Sequence, residues 1–291
     1  MQRLHQCWLP TEIRQRPHPT GDPRAQGKEE AIAATAGTDS RVPATGGEIT
    51  ERIERKFFVP PRNVGFAEVL LRQVCRPDRD HPRGQVNTLY FDTPDLEQLA
   101  RSGAGDFAKD KVRIRWYDRP DDWGEVVPVY LELKSRRGFA SSKQRRMLAT
   151  AATNLAPAGL AAGIVDGTAL LDTLASFGHY PGQPLRPVVV VSYWRNRFTE
   201  MFTGVRVSLD SRIRSTMVAL GIGDGERDLP LRGAVIEIKG PTMEMPATLR
   251  RMDLLNADWS RFSKYGSCVD AHLSHPGIAG RLWPSGRIVQ R

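Results

Sequence analysis

Lys111-Val112-Arg113-Ile114-Arg115-Trp116-Tyr117 alternates strictly between polar and apolar side chains. Residues two apart on a β-strand share a face. An extended reading therefore sets Lys111, Arg113, Arg115 and Tyr117 against Val112, Ile114 and Trp116. The same parity recurs along the chain. Arg52, Glu54 and Lys56 oppose Ile53, Phe57 and Val59, and Glu132 and Lys134 oppose Leu131 and Leu133. Tyr193, Arg195 and Arg197 share a face. Arg206, Ser208, Asp210 and Arg212 are backed by Val205, Val207, Leu209 and Ile213, and Glu237 and Lys239 by Ile236 and Ile238. One such strand is merely the wet side of a sheet. Six are different, because a solvent face mixes in Thr, Ser and Gln, whereas here Arg and Lys dominate.

If the sheet closes on itself, the charged faces line a hydrophilic interior and the apolar faces pack outward against helices. The wall then carries eleven cations (Arg52, Lys56, Lys111, Arg113, Arg115, Lys134, Arg195, Arg197, Arg206, Arg212 and Lys239). It carries four acids, Glu54, Glu132, Asp210 and Glu237. Enclosed like charges are costly without a counter-charge. A polyphosphate-like ligand supplies it, since guanidinium forks match phosphate oxygens. The acids are suited to hold a divalent metal.

The remaining sequence fits this reading. Of 291 residues, 42 are Lys or Arg and 33 Asp or Glu, for a formal charge of +9. Residues 1–48 hold six basic and six acidic residues, so the surplus lies in 49–291 and points to anionic partners. Those 48 residues contain five prolines and no hydrophobic period, and read as a disordered tail. Residues 49–275 read as the folded domain and 276–291 as a basic tail. Cys7, Cys75 and Cys268 make no disulfide framework and no CxxC pair. No apolar run is long enough to span a membrane, and no secretory signal is evident, so a cytoplasmic setting is expected.

Strands at Val86–Asp92, Lys111–Asp118, Val129–Ser135, Val188–Phe198, Val205–Ser211 and Ala234–Lys239 occur at hairpin spacing. The expected class is an antiparallel α+β barrel with helices outside. Asn63–Arg76 reads as a helix with Phe66, Val69, Leu70 and Val74 on one face. A further helix starts at Thr93-Pro94-Asp95. Ser141–Thr150, Thr168–Phe177 and Pro246–Asn256 also read as helices. Trp116 and Trp194 alternate with basic residues but fall on the apolar face, which argues against a nucleic-acid platform. His272-x-x-His275 has metal spacing but no third ligand near it, and reads as structural.

Nine short motifs occur in one order. They are Arg52-x-Glu54-x-Lys56-Phe57, Leu89-Tyr90-Phe91-Asp92-Thr93, Lys111-x-Arg113-x-Arg115-x-Tyr117, Leu131-Glu132-Leu133-Lys134 and Lys143-x-x-Arg146, then Tyr193-x-Arg195, Leu209-Asp210-x-Arg212, Glu237-Ile238-Lys239 and Ser263-Lys264-Tyr265. The series resembles the catalytic domain of the vacuolar transporter chaperone (VTC) polyphosphate polymerases, in the CYTH-like triphosphate tunnel metalloenzyme superfamily. It covers about residues 49–275.

The resemblance implies transfer of the ATP γ-phosphate to a growing polyphosphate chain, with Mn²⁺ or another divalent cation such as Mg²⁺. It implies catalytic roles for Lys134, Arg113, Arg115 and Glu237, with Glu237 holding the metal. Lys56, Lys143, Arg195, Ser263 and Lys264 would grip phosphates, with Arg52, Tyr193, Arg212 and Lys239 completing the phosphate and nucleotide set. ATP and polyphosphate are the implied partners. Hydrolytic and cyclase relatives begin with Glu-x-Glu-x-Lys, whereas the first of those positions here is Arg52, which favours the polymerase branch. Eukaryotic members carry an inositol-phosphate-sensing domain and membrane helices, and the expectation here is a free-standing version. A non-catalytic polyphosphate-binding module and a tripolyphosphate hydrolase are the alternatives.

Overall fold

The computed structural model describes residues 53–117, 125–138, 140–220, 228–242, 244–259 and 263–273. The two expected tails, Arg52, His275, most of the 119–127 loop and the 221–227 turn lie outside the described residues.

Eleven strands form one sheet: β1 (Ile53–Val59), β2 (Cys75–Pro77), β3 (Arg83–Asp92), β4 (Ala108–Tyr117), β5 (Val126–Arg137), β6 (Ala140–Ala151), β7 (Arg186–Glu200), β8 (Arg206–Met217), β9 (Asp228–Leu231), β10 (Ala234–Gly240) and β11 (Asp258–Trp259). The order is β11-β1-β10-β8-β7-β3-β4-β5-β6, with β2 on β7 and β9 on β8. Every pairing is antiparallel, as the hairpin spacing predicts. Among the described residues no ladder joins β6 to β11 or β1. The sheet nevertheless curls enough to bring β1 near β5, where Lys134 Nζ donates to Glu54 Oε2 at 2.9 Å. The described strands thus form a curled antiparallel barrel that no backbone ladder closes.

Among the described residues five α-helices accompany the sheet: α1 (Val64–Val74), α2 (Glu97–Ala104), α3 (Pro157–Ala162), α4 (Gly167–Ser176) and α5 (Lys264–Leu273). Three cores result. On the outer face of β1, β10 and β8, Phe57, Val59, Val207, Leu209, Ile236 and Ile238 pack under α1 and the 3₁₀ segment Ala247–Leu255. On the outer face of β3, β4, β5 and β7, Leu89, Val112, Ile114, Leu131, Leu133 and Val190 pack with α4 residues Leu170 and Leu174. Each such fully buried aliphatic side chain contributes about 1.5–3 kcal/mol. The third core is interior. There Tyr90, Val189, Val191, Tyr193, Ile213 and Val235 enclose Tyr265, Cys268 and Val269 of α5, filling part of the barrel. Burial pushes the Cys75 and Cys268 thiols up to about 12, so neither is a nucleophile at neutral pH. No helix among the described residues is long and apolar enough to cross a membrane.

Four sequence readings change. Residues 140–151 form a strand paired along its whole length with β5, not a helix. Its Ala, Gln, Arg, Met and Leu content favours a helix locally, and twelve ladder positions override that preference. In α1 the buried residues are Ala67, Leu70 and Leu71, whereas Phe66 and Val69 are exposed. Glu68, Arg72 and Gln73 occupy the opposite arc, so the helical spacing centres the buried face on Ala67, Leu70, Leu71 and Val74 and leaves Phe66 and Val69 at its edge and beyond. The Thr93-Pro94-Asp95 start is displaced: α2 begins at Glu97, whose N–H donates to Thr93 Oγ1 at 3.0 Å. Buried Asp92 accepts from the N–H groups of Gln98 and Leu99, both at 2.9 Å. The Pro246–Asn256 helix is 3₁₀ instead of α, and Leu249, Met252 and Leu255 recur at its three-residue period, all buried.

A glycine fixes the approach to β10. Gly233 has φ +111°, and a Cβ there would stand 2.6 Å from the Phe58 ring. Only glycine fits this turn without moving β1.

Candidate functional site: a charged interior with two unlike walls

Strand parity places the charged side chains inside, and two clusters organise them. On β4, β5 and β6 the centre is Glu132, whose side chain is fully buried. Arg113 Nε donates to it at 2.8 Å, and Arg113 Nη2 lies 2.7 Å away. Lys143 Nζ stands at 2.6 Å, Arg115 Nη1 at 3.5 Å and Arg145 Nε at 3.7 Å. Burial drives the Glu132 carboxyl up, but Arg115, Arg113 and Lys143 outweigh it and bring it down to about 2. One acid therefore holds four cations.

Lys111 is a neighbour on β4, at the position opposite Lys134. Its Nζ donates to Ser263 Oγ at 2.9 Å. Burial, then the charges of Lys56, Lys134, Lys109 and Arg113, pull its ammonium down to about 7.

The facing wall comes from β1, β10, β8 and β7. Arg195 forks onto Asp210, donating from Nε at 2.6 Å and from Nη2 at 2.8 Å, and Nη2 also reaches Glu237 Oε2 at 3.2 Å. Lys264, the first residue of α5, stands 2.6 Å from Asp210 Oδ2 and over the Tyr193 ring at 5.0 Å. Burial pulls the Lys264 ammonium down, but Asp210, Tyr193 and Glu237 hold it above the usual lysine range. Lys239 pairs with Glu237 at 2.9 Å and Lys56 with Glu54 at 3.2 Å.

Glu54 and Glu237 are diagonal neighbours on the paired strands β1 and β10, where Glu54 pairs with Lys239 and Lys56 with Glu237. Burial pushes Glu237 up, but Glu54, Arg195, Lys239 and Lys56 hold it well below the usual carboxylate range.

The structure brings together Lys56, Arg113, Arg115, Lys134, Lys143, Tyr193, Arg195, Glu237, Lys239, Ser263 and Lys264 in these two clusters. Tyr193 lies beneath Arg195 and Lys264 as a buried platform. Arg197 instead donates to the His81 carbonyl at 3.2 Å, at an exposed position.

Arg212 is a correction. It sits at φ +51° in a β-bulge where Arg212 and Ile213 together oppose Tyr193. The extra residue flips the strand's parity, so Ile213 turns into the interior core and Arg212 turns outward. Arg146 likewise pairs with Leu131 and shares its outer face. Arg145, Lys111 and Glu54 emerge as site residues to which the motifs assign no role. Arg145 is hidden by the helical reading of its segment. Lys111 and Glu54 already share a parity set with assigned residues.

Residues 51–273 match the VTC domain. The chain belongs to the VTC domain family. No curated protein matches the sequence. Among solved structures, a candidate adenylate cyclase from Bacillus halodurans is 19% identical, covering 71% of this chain and 90% of that one, with a TM-score of 0.41. A candidate adenylyl cyclase from Hippeastrum, described as having a dominant triphosphatase activity, is 18% identical, covering 81% and 99%, with a TM-score of 0.44.

The donor set of this VTC domain fits a divalent cation in one specific way. Among the described residues there is no group of three or more His, Cys, Asp or Glu that could hold a metal. Glu54 and Glu237 offer two adjacent carboxylates, both held ionised, and further oxygens would come from phosphate and water, as hard divalent ions accept.

Proposed function

We propose that the chain is a polyphosphate polymerase, transferring the γ-phosphate of ATP to the end of an inorganic polyphosphate chain held in the interior. The observation that carries this reading is the contrast between the walls. Four cations converge on Glu132, and across the interior Glu54 and Glu237 stand as diagonal neighbours on β1 and β10.

Arg113 and Arg115 are already oriented by Glu132, so their forks need little reordering to take phosphate oxygens. Lys143 and Arg145 extend that grip along β6, and Lys56 and Lys134 complete it from β1 and β5. Lys134 bridges to Glu54 and so ties the two walls together. A divalent ion such as Mn²⁺ or Mg²⁺ at Glu54 and Glu237 would neutralise phosphate charge as the bond to the leaving ADP breaks.

The attacking atom is a terminal oxygen of the acceptor chain. It is already anionic and needs no general base. A new P–O bond forms to the γ-phosphorus, and the electron pair of the cleaved bond leaves on the β-phosphate of ADP. Arg195, pinned by Asp210, and Lys264 stand ready to stabilise developing charge.

The test is incubation of purified protein with ATP and Mn²⁺, followed by a polyphosphate-stained gel and an ADP assay. Long chains with ADP are expected. Orthophosphate as the sole product would make the protein a hydrolase. Unconsumed ATP with every divalent metal would make it a binding module.

A further inference from the structure

The β8 bulge builds a second basic site on the outside of the barrel. A cavity of about 390 Å³ is lined by Gln85, Trp194, Arg212, Arg214 and Arg232 with Pro230 and Leu231 of β9, and it also reaches the strand positions Ser192, Tyr193 and Ile213. The pairing of Ile213 with Leu231, continued by one position, sets Arg212 opposite Arg232. Arg214 is held by Asp228. Among the described residues neither Arg212 nor Arg232 has an ion-pair partner. Arg83 lies over the Trp194 ring at 4.6 Å, adding a fourth guanidinium beside the cavity wall.

We infer that this cavity binds an inorganic oligophosphate anion, separately from the interior. An arginine at φ +51° is strained relative to an ordinary strand conformation. Regular parity would point Arg212 inward beside Asp210, and the strained residue is what delivers it to this outer cavity. Like-charged forks gathered at the rim of a hollow of ligand size, on an otherwise largely apolar lining, call for a multiply charged partner. A singly charged anion would leave most of the arginine charge uncompensated, whereas a triphosphate or longer chain can engage several forks at once. The inference goes beyond the interior reading and does not rest on it.

The test is titration calorimetry with tripolyphosphate on the full chain, comparing wild type, Arg212→Gln/Arg232→Gln and Lys134→Ala. Both arginines are exposed, so the double variant should fold. The variant is expected to lose one class of site, weakened about tenfold or more per arginine removed. Lys134→Ala should leave that class unchanged. Tryptophan fluorescence should report the same site, with the tripolyphosphate-induced change reduced in Trp194→Phe. A calorimetric isotherm that Arg212→Gln/Arg232→Gln leaves unaltered would overturn the inference.

Discussion

The two walls of the interior differ in how they balance charge. On β4, β5 and β6, Arg113, Arg115, Lys143 and Arg145 surround the single carboxylate of Glu132, with Lys111 beside them. On β1, β10, β8 and β7, the acids Glu54, Glu237 and Asp210 alternate with Lys56, Lys239, Arg195 and Lys264. The first wall is incomplete without imported negative charge. The second is nearly balanced, with every oxygen of Glu54 and Glu237 engaged by a lysine or an arginine that a metal cation would have to displace. On the proposed function, that difference gives phosphate grip to one wall and metal handling to the other.

The largest effect is expected from removing the keystone of the basic wall. Glu132→Gln leaves the buried Arg113 and Arg115 facing each other beside the more exposed Lys143 and Arg145, and breaking a buried pair of this kind costs about 3–5 kcal/mol. Thermal denaturation should show a large drop in melting temperature. Tripolyphosphate at ~100 times its dissociation constant should return about 2.7 kcal/mol. A loss that tripolyphosphate does not relieve would mean that the cations do not face a phosphate site.

Next in size is the separation of chemistry from binding. Glu237→Gln keeps the shape of the second wall and removes one metal-attracting charge. ATP-dependent chain growth should fall at least about hundredfold, within the range usual for loss of charge stabilisation at a transition state. Tripolyphosphate affinity, measured by calorimetry, should hardly change. Equal losses in both would erase the distinction between the walls.

A smaller effect concerns pH. The Lys111 ammonium is drawn down to about 7 by burial and by Lys56, Lys134, Lys109 and Arg113. The unfolded chain therefore binds more protons than the folded one between pH 7 and the ordinary lysine range. The destabilisation due to Lys111 is complete below pH 7 and fades as pH rises. Phosphate entering the site favours the charged lysine, so binding should take up a proton above pH 7. Tripolyphosphate affinity should weaken with rising pH from there, by up to about tenfold per unit. Lys111→Met should flatten this profile, and a profile unchanged by that substitution would contradict the assignment.

The smallest contrast lies within one strand. Arg145→Ala should weaken tripolyphosphate binding about tenfold, as expected for one charge-assisted contact. Arg146→Ala, on the outer face, should leave it unaltered. Equal effects would contradict the parity of β6.

Parity alone makes the walls legible in the sequence, because a regular strand leaves only two faces to choose between. It holds at Lys111–Tyr117, where Val112, Ile114 and Trp116 are buried outward. It fails at Arg212, since a bulge inserts one residue with no signal beyond an arginine in an unusual backbone conformation. The strand at 140–151 is illegible for another reason. Its residues prefer a helix, and only the long-range ladder with β5 decides otherwise. The meeting of Glu54 and Glu237 depends on the pairing of β1 with β10, strands at opposite ends of the domain sequence, and local pattern is silent over such a separation.

The most direct measurement is the fate of label from ATP carrying ³²P in the γ position, with Mn²⁺ present. Label should accumulate in chains that an exopolyphosphatase digests, with one ADP released per phosphate incorporated, and Glu237→Gln should show neither. Label found only in orthophosphate, or remaining in ATP, would contradict the assignment of the two walls to polymer synthesis.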